Sequence, residues 1–175
     1  VKPGDIKYRD VNGDGKIDGS DQVMISPYGT TPRIQYGLGM NVTYKKFDFG
    51  VFFNGSAKRT IMISGISPFG QSDYNVMQFI ADDYWSESNP NPNAKYPRLT
   101  SEGSANNYTT NSLWVADASY MKLRTLELYY NFSQEMMKKS KFIKGAKVFA
   151  RGHDLFCVDK IKVLDPENIG TNHPT

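Results

Sequence analysis

Twelve residues near the start of the chain, Asp10-Val-Asn-Gly-Asp-Gly-Lys-Ile-Asp-Gly-Ser-Asp21, have the types and spacing to hold a hard cation. Asp10, Asn12, Asp14, Asp18 and Asp21 fall at positions 1, 3, 5, 9 and 12 of a calcium loop. Lys16, at position 7, offers a backbone carbonyl, which is what that position supplies. Gly15 stands at position 6, where such a loop turns sharply, and Ile17 follows at position 8 as an apolar anchor. Calcium takes about six to eight oxygens, and this segment can present that many. Two departures shape the reading. Position 12 is the short Asp21 instead of a glutamate that grips the ion with both oxygens, which predicts weaker binding or a tighter loop. An EF-hand also needs a helix on each side. Here 4–9 reads as extended after the Pro3-Gly4 break, and 22–27 is short and ends in Pro27. The expectation is an isolated Ca2+ loop that staples a turn. The plainer alternative is a turn without metal, because Asp, Asn and Gly favour turns in any case.

Little else in the chain suggests catalysis. The histidines are His153 and His173, and there is no His-Glu-x-x-His, no Gly-x-Ser-x-Gly and no phosphate-cradling glycine loop. Asp82, Asp83 and Glu87 can be imagined as an acid/base set for glycoside hydrolysis, but carboxylates of this kind are mostly solvated. Cys157 reads as a small apolar group, and a single cysteine forms no internal disulfide. The chain is therefore expected not to be an enzyme. Tyr84, Trp85, Tyr96, Tyr108 and Trp114 are the candidates for holding a ligand or partner. Their alternative role is to give an irregular segment its own small core.

The elements that must position these groups are strands. Aromatic residues make up 13% of the 175 residues, with eleven Tyr and ten Phe, and aromatics favour both strands and membrane interfaces. A net charge of +3 is too small to argue for nucleic acid. No run of apolar residues is long enough for a transmembrane helix, a test that membrane strands escape because they alternate. The chain opens on Val1-Lys-Pro-Gly4 without a signal peptide, so it reads as the middle of something longer.

Over 33–44, Ile34, Tyr36, Leu38, Met40, Val42 and Tyr44 alternate with polar or glycine residues. After Lys45-Lys46, Phe47, Phe49, Val51 and Phe53 continue the pattern, so 33–57 reads as a hairpin with a tight connection. The stretch 58–117 is a long loop with Ser-Asn-Pro-Asn-Pro-Asn at 88–93 and a short helix expected over 76–84. Alternation returns over 118–156 as a strand pair around a lysine-rich turn at 133–145. In its first strand Tyr120, Lys122, Arg124, Leu126, Leu128, Tyr130 and Phe132 are expected on one face, opposite Met121, Leu123, Thr125, Glu127 and Tyr129. The second strand is expected over 146–156, with 157–175 a loop. The lysines at 138, 139, 141, 144 and 147 suit either anionic headgroups or a solvated turn. Each strand pair thus has one tight end and one elaborate end, the asymmetry of outer-membrane barrels. On that plan the loops 1–32 and 58–117 lie outside the cell and the turns lie in the periplasm.

These segments resemble one family. The run from Gly4 to Asp18, then Pro32-Arg-Ile-Gln-Tyr-Gly-Leu38, Tyr84-Trp85, Tyr96-Pro-Arg98, Asn106-Asn107, Asp117-Ala-Ser-Tyr-Met-Lys-Leu-Arg124 and Gly152-His-Asp-Leu-Phe156 are similar to the end of SusC/RagA-type TonB-linked outer-membrane proteins. The last of these departs from the family's Gly-Gln-Asn-Leu-Phe. The resemblance implies an all-β fold of antiparallel up-and-down strands, part of a transmembrane barrel of about twenty-two strands around a plug. It implies TonB-driven import of glycans or peptides beneath a SusD-like lipoprotein cap. The plug, the TonB-contacting part, most strands and a final aromatic-ended strand are expected outside this sequence. The alternative is a soluble, calcium-stabilised β-sandwich carbohydrate-binding module. The two differ in whether the apolar face of 34–51 meets lipid or a second sheet.

Overall fold

Strict alternation over 33–54 leaves one way to lay the chain down, and a computed structural model follows it. The structure describes residues 1–63, 76–100, 105–138, 143 and 145–167. Strands β1 (Ile34–Tyr44) and β2 (Phe47–Ala57), of 11 residues each, pair antiparallel from Tyr44 opposite Phe47 to Ile34 opposite Ala57. Lys45 takes φ 54 in the turn between them. A left-handed residue in a two-residue turn matches the twist of the strands, which is how so short a connection closes.

The chain then leaves the sheet. It forms β3 (Thr60–Met62), α1 (Gln78–Ala81), α2 (Ala105–Tyr108) and β4 (Val115–Asp117), with β3 and β4 making a two-stranded sheet. It returns as β5 (Tyr120–Asn131), passes α3 (Gln134–Met137) and ends the sheet with β6 (Lys147–Asp159). The four long strands are ordered β1-β2-β5-β6, antiparallel at every pairing. No helix among the described residues is long and apolar enough to cross a membrane, a measure that does not bear on strands.

Two boundaries move. The helix expected over 76–84 is one turn, α1, because Pro-, Asn- and Ser-rich chain follows it. The last strand does not stop at Phe156: Cys157, Val158 and Asp159 continue the ladder opposite Lys122, Met121 and Tyr120, so the loop expected from 157 begins after Asp159. Phe69, Tyr74, His173 and the lysines at 139, 141 and 144 lie outside the described residues.

The chain divides into two units. One holds the sheet, Thr30–Arg59 and Asp117–Lys160. The other comprises Val1–Gly29, Thr60–Ala116 and Ile161–Thr175. Its core is Ile80, Tyr96 and Trp114, with Ile6, Phe79, Tyr84, Leu99 and Tyr108 packed around them.

Candidate functional site

The pairing register sorts the sheet unit into two unlike faces. Residues directly opposite in adjacent strands point the same way. The row Leu38, Phe53, Leu123, Phe156 therefore shares a face with the row Met40, Val51, Leu126, Gly152 and the row Val42, Phe49, Leu128, Ala150. Every residue in these rows is apolar or glycine. The face is also open: Leu38 is 69% exposed, Met40 52%, and Ile34, Tyr36, Phe47 and Phe49 are all exposed. At the end where β1 turns into β2 it finishes in aromatics, with Phe47 and Tyr130 rings 4.9 Å apart and Tyr130 and Phe132 rings 5.0 Å apart. The opposite face carries Gln35, Asn41, Thr43, Asp48, Lys122, Glu127 and Arg151. Its charges are paired: Arg151 Nε lies 2.6 Å from Glu127 Oε1, and its guanidinium donates to the Tyr129 hydroxyl at 2.7 Å. Asp48 accepts from Thr43 Oγ1 at 2.9 Å and from Asn131 Nδ2 at 2.8 Å.

A bulge corrects the facing expected in β5. The β2–β5 register shifts between Phe52 and Phe53, so Arg124 has no partner in that ladder and the alternation changes phase there. Tyr120 and Lys122 therefore share the polar face with Thr125, Glu127 and Tyr129. Met121 and Leu123 join Leu126, Leu128 and Tyr130 on the apolar one. A uniform period-two count cannot place such an insertion.

The loop over 10–21 closes on its own side chains. Asp10 accepts the Gly13 amide at 2.6 Å and the Gly15 amide at 2.8 Å. Asn12 accepts from the Asp14 amide at 2.9 Å, and Asp14 from the Lys16 amide at 2.8 Å. Asp18 caps a 3-10 turn, Gly19–Asp21, while Asp21 reaches back to the Asp18 amide at 2.9 Å and the Val11 amide at 2.8 Å. Gly13 and Gly15 take φ 77 and 81, the left-handed conformation that glycine enters without strain. The Asp18 and Val11 amides hold the Asp21 carboxyl below its usual range against a smaller opposing effect of desolvation. Among the described residues, no three His, Cys, Asp or Glu side chains converge as a metal-binding group. Each carboxylate oxygen bonded to one amide keeps a second lone pair, so these donors remain chemically able to take a cation.

The aromatic candidates separate by burial. Trp114 is 0% and Tyr96 6% exposed, stacked with centroids 6.1 Å apart, and Trp114 Nε1 donates to the Asn107 carbonyl at 2.7 Å. Both belong to the core of this unit, the second of the two roles the sequence leaves open for them. Tyr84 and Tyr108 pack on the same cluster. Burial pushes the Tyr108 hydroxyl above its usual pKa, with Thr100 and Arg98 acting the other way. The Trp85 ring lies against the backbone of Gly4, whose φ of 84 leaves that side bare.

Sequence reasoning did not single out the polar hub of this unit. Asn107, 1% exposed, donates to Asp5 Oδ1 at 3.0 Å and accepts the Ile6 amide at 2.9 Å. Asp5 also pairs with Arg98 Nε at 2.6 Å and accepts the Lys2 amide at 2.7 Å. Burial alone would raise the Asp5 pKa, but these donors outweigh it and hold the carboxyl below its usual range. The Asn106-Asn107 pair was the available signal, since adjacent buried amides need partners.

An exposed apolar face, a polar one behind it, strands of 11 to 13 residues and a tight turn between β1 and β2 define a wall segment of transmembrane β-barrel type. Comparison with known proteins narrows the class. The chain is 29% identical over 173 residues to TonB-dependent receptor P26 of Formosa agariphila, covering 97% of this chain and 17% of that protein. It is 25% identical over 167 residues to TonB-dependent receptor SusC of Bacteroides thetaiotaomicron, covering 95% of this chain and 16% of SusC. Its fold matches the RagAB peptide transporter with a TM-score of 0.63 at 20% identity, over 91% of this chain and 17% of the other. No family model matches. The resemblance to SusC/RagA-type TonB-linked outer-membrane proteins holds in sequence and in fold, and the chain spans about one sixth of the length of these relatives.

Proposed function

We propose that this chain is the C-terminal part of the barrel of a TonB-dependent outer-membrane importer. The observation that carries the reading is the sheet: four antiparallel strands of membrane-crossing length whose apolar face is open while the other is wet. The cargo class is a glycan or a peptide. The partners are outer-membrane lipid, the remainder of a barrel of about twenty-two strands, a plug, a SusD-like surface lipoprotein, and the TonB complex acting through another part of the protein. No step of bond chemistry is assigned to the chain. The soluble sandwich is disfavoured because a sandwich needs Leu38, Met40 and Phe49 under a second sheet, and they are exposed.

The test is depth- and face-specific. Leu38→Lys on the apolar face should cost about 2–4 kcal/mol of barrel stability and lower the amount of protein in the outer membrane. Gln35→Lys, on the polar face of the same strand, should leave assembly intact. Equal tolerance of the two would overturn the membrane reading.

The 10–21 loop is read as a structural Ca2+ site formed by Asp10, Asn12, Asp14, the Lys16 carbonyl, Asp18 and Asp21. The support is the register of oxygen donors and the two left-handed glycines. Bound calcium would tie 1–30 into a fixed shape on the outer side.

A further inference from the structure

The apolar face changes character at its last row before the β1–β2 turn. That row is Tyr44, Phe47, Tyr130 and Val148, opposite one another across the four strands. Tyr44 is 66% exposed, and Phe47 and Val148 are exposed with it. Rings with a polar tip settle where hydrocarbon meets headgroups, so this row sets the depth of an interface. Short turns belong to the periplasmic side of outer-membrane barrels.

The residue that follows takes an uncommon backbone. Lys45 stands at φ 54, a conformation that Asn or Gly enters with less strain. A lysine held there against its own preference points to a task for its side chain. Its ammonium lies 5.2 Å from the centre of the Tyr44 ring, which brings the charge to the apolar side of the sheet. Among the described residues, neither Lys45 Nζ nor the Tyr44 hydroxyl has a hydrogen-bond or ion-pair partner. Lys147, at the same end of the sheet, is treated differently. Its Nζ lies 4.3 Å from the centre of the Tyr129 ring and 4.0 Å from Asp48 Oδ2, so its charge is answered on the polar side. Asp48 is turned to that side too, bonded to Thr43 and Asn131.

An ammonium and a phenol side by side, above a row of rings, can donate together to one phosphate group. A zwitterionic headgroup carries its own cation, which Lys45 repels. An anionic headgroup carries none. We propose that Tyr44 and Lys45 clamp the phosphate of an anionic glycerophospholipid at the periplasmic interface. The assignment rests on the membrane reading and adds to it the charge of the lipid and the residues that select it.

The experiment uses the full-length protein in nanodiscs that hold a photoactivatable phosphatidylglycerol or its phosphatidylcholine counterpart. After illumination, lipid adducts are mapped by mass spectrometry. On 43–48 the wild type should give about fivefold more adduct with phosphatidylglycerol, the weight of one lysine at an anionic surface. Lys45→Asn should bring that ratio close to one without lowering Tm, since asparagine suits a left-handed turn. Lys45→Arg and Lys147→Gln should keep the ratio, and Tyr44→Phe should lower it in part. An unchanged ratio in Lys45→Asn, or a wild-type ratio near one, overturns the clamp and leaves the membrane reading standing. Stronger competition by lipid A than by unlabelled phosphatidylglycerol overturns the glycerophospholipid assignment. No adduct from either lipid anywhere on 34–51 overturns the membrane reading with it.

Discussion

Arg124 and Asp154 meet across β5 and β6 where both strands depart from the regular ladder. Arg124 is the extra residue opposite β2, and Asp154 sits within the register shift of β6 with φ 50. Their side chains form an ion pair, and Arg124 also reaches Asn54 in β2. The pair therefore spans three strands at the point where the alternation changes phase. With Asp154 about half exposed, the charge attraction itself is worth at most about 1 kcal/mol. The backbone matters more, because Asp tolerates the left-handed region and a β-branched residue does not. Asp154→Val is expected to destabilise the sheet by about 1–2 kcal/mol. Asp154→Asn should cost less than half of that. Denaturant midpoints followed by far-UV circular dichroism decide between them.

The Asp5 hub makes a prediction about pH. Its carboxyl is held below its usual range when folded, so it adds stability that is fully present above the unfolded value near 3.8. That contribution is lost as pH falls through the lower folded value. Both tryptophans, Trp85 and Trp114, lie in the unit that holds Asp5, so their fluorescence reports on this unit alone. The unfolding midpoint should be flat from neutral pH to about 4 and fall below that. Asp5→Asn should reduce the acid dependence to the part that Asp21 carries, and cost about 1–3 kcal/mol at neutral pH because Arg98 loses its partner.

Gly4 faces the Trp85 ring with no room for a methyl group, in a conformation other residues rarely take. Gly4→Ala is expected to displace the ring and destabilise the unit by about 2 kcal/mol or more, combining a left-handed penalty with overpacking. A shift in tryptophan emission should accompany the loss. Unchanged emission would mean that the ring does not rest on that backbone.

Calcium binding is tested by proteolysis. Micromolar to millimolar calcium should slow tryptic cleavage at Arg9 and Lys16. Asp10→Ala combined with Asp14→Ala should abolish the protection while the circular dichroism of the strands is unchanged. Identical cleavage with calcium and with chelator sinks the metal assignment and leaves a self-capped turn.

Much of the sheet was legible. Alternation over 33–54 fixes both the strands and their faces, because a one-residue slip would turn the whole apolar set to the wet side. The phase of Tyr120 and Lys122 was not legible, since the bulge at Arg124 leaves no mark in a count of alternation. Nor was the burial of Trp114 and Tyr96. They stand in irregular chain, where no period says which way a ring points, and only the stack and the Asn107 carbonyl show them to be core. For the 10–21 loop the oxygen spacing was plain, but not that its carboxylates would each be turned onto a loop amide.

The excursion between β2 and β5 has a kinetic consequence. Thr43 and Asp48 pair across a separation of five residues, whereas Asp48 and Asn131 pair across 83. The β1–β2 ribbon can zip in microseconds. The β2–β5 seam must first close a long loop, and non-local pairing of this kind is slow. In the interval β2 is a bare edge carrying Phe47, Phe49 and Phe53, a template for wrong partners as much as for the right one. This segment is thus most vulnerable between formation of the β1–β2 hairpin and the arrival of β5. A holding chaperone that covers that edge until β5 arrives should raise the yield more than one that acts on the finished sheet.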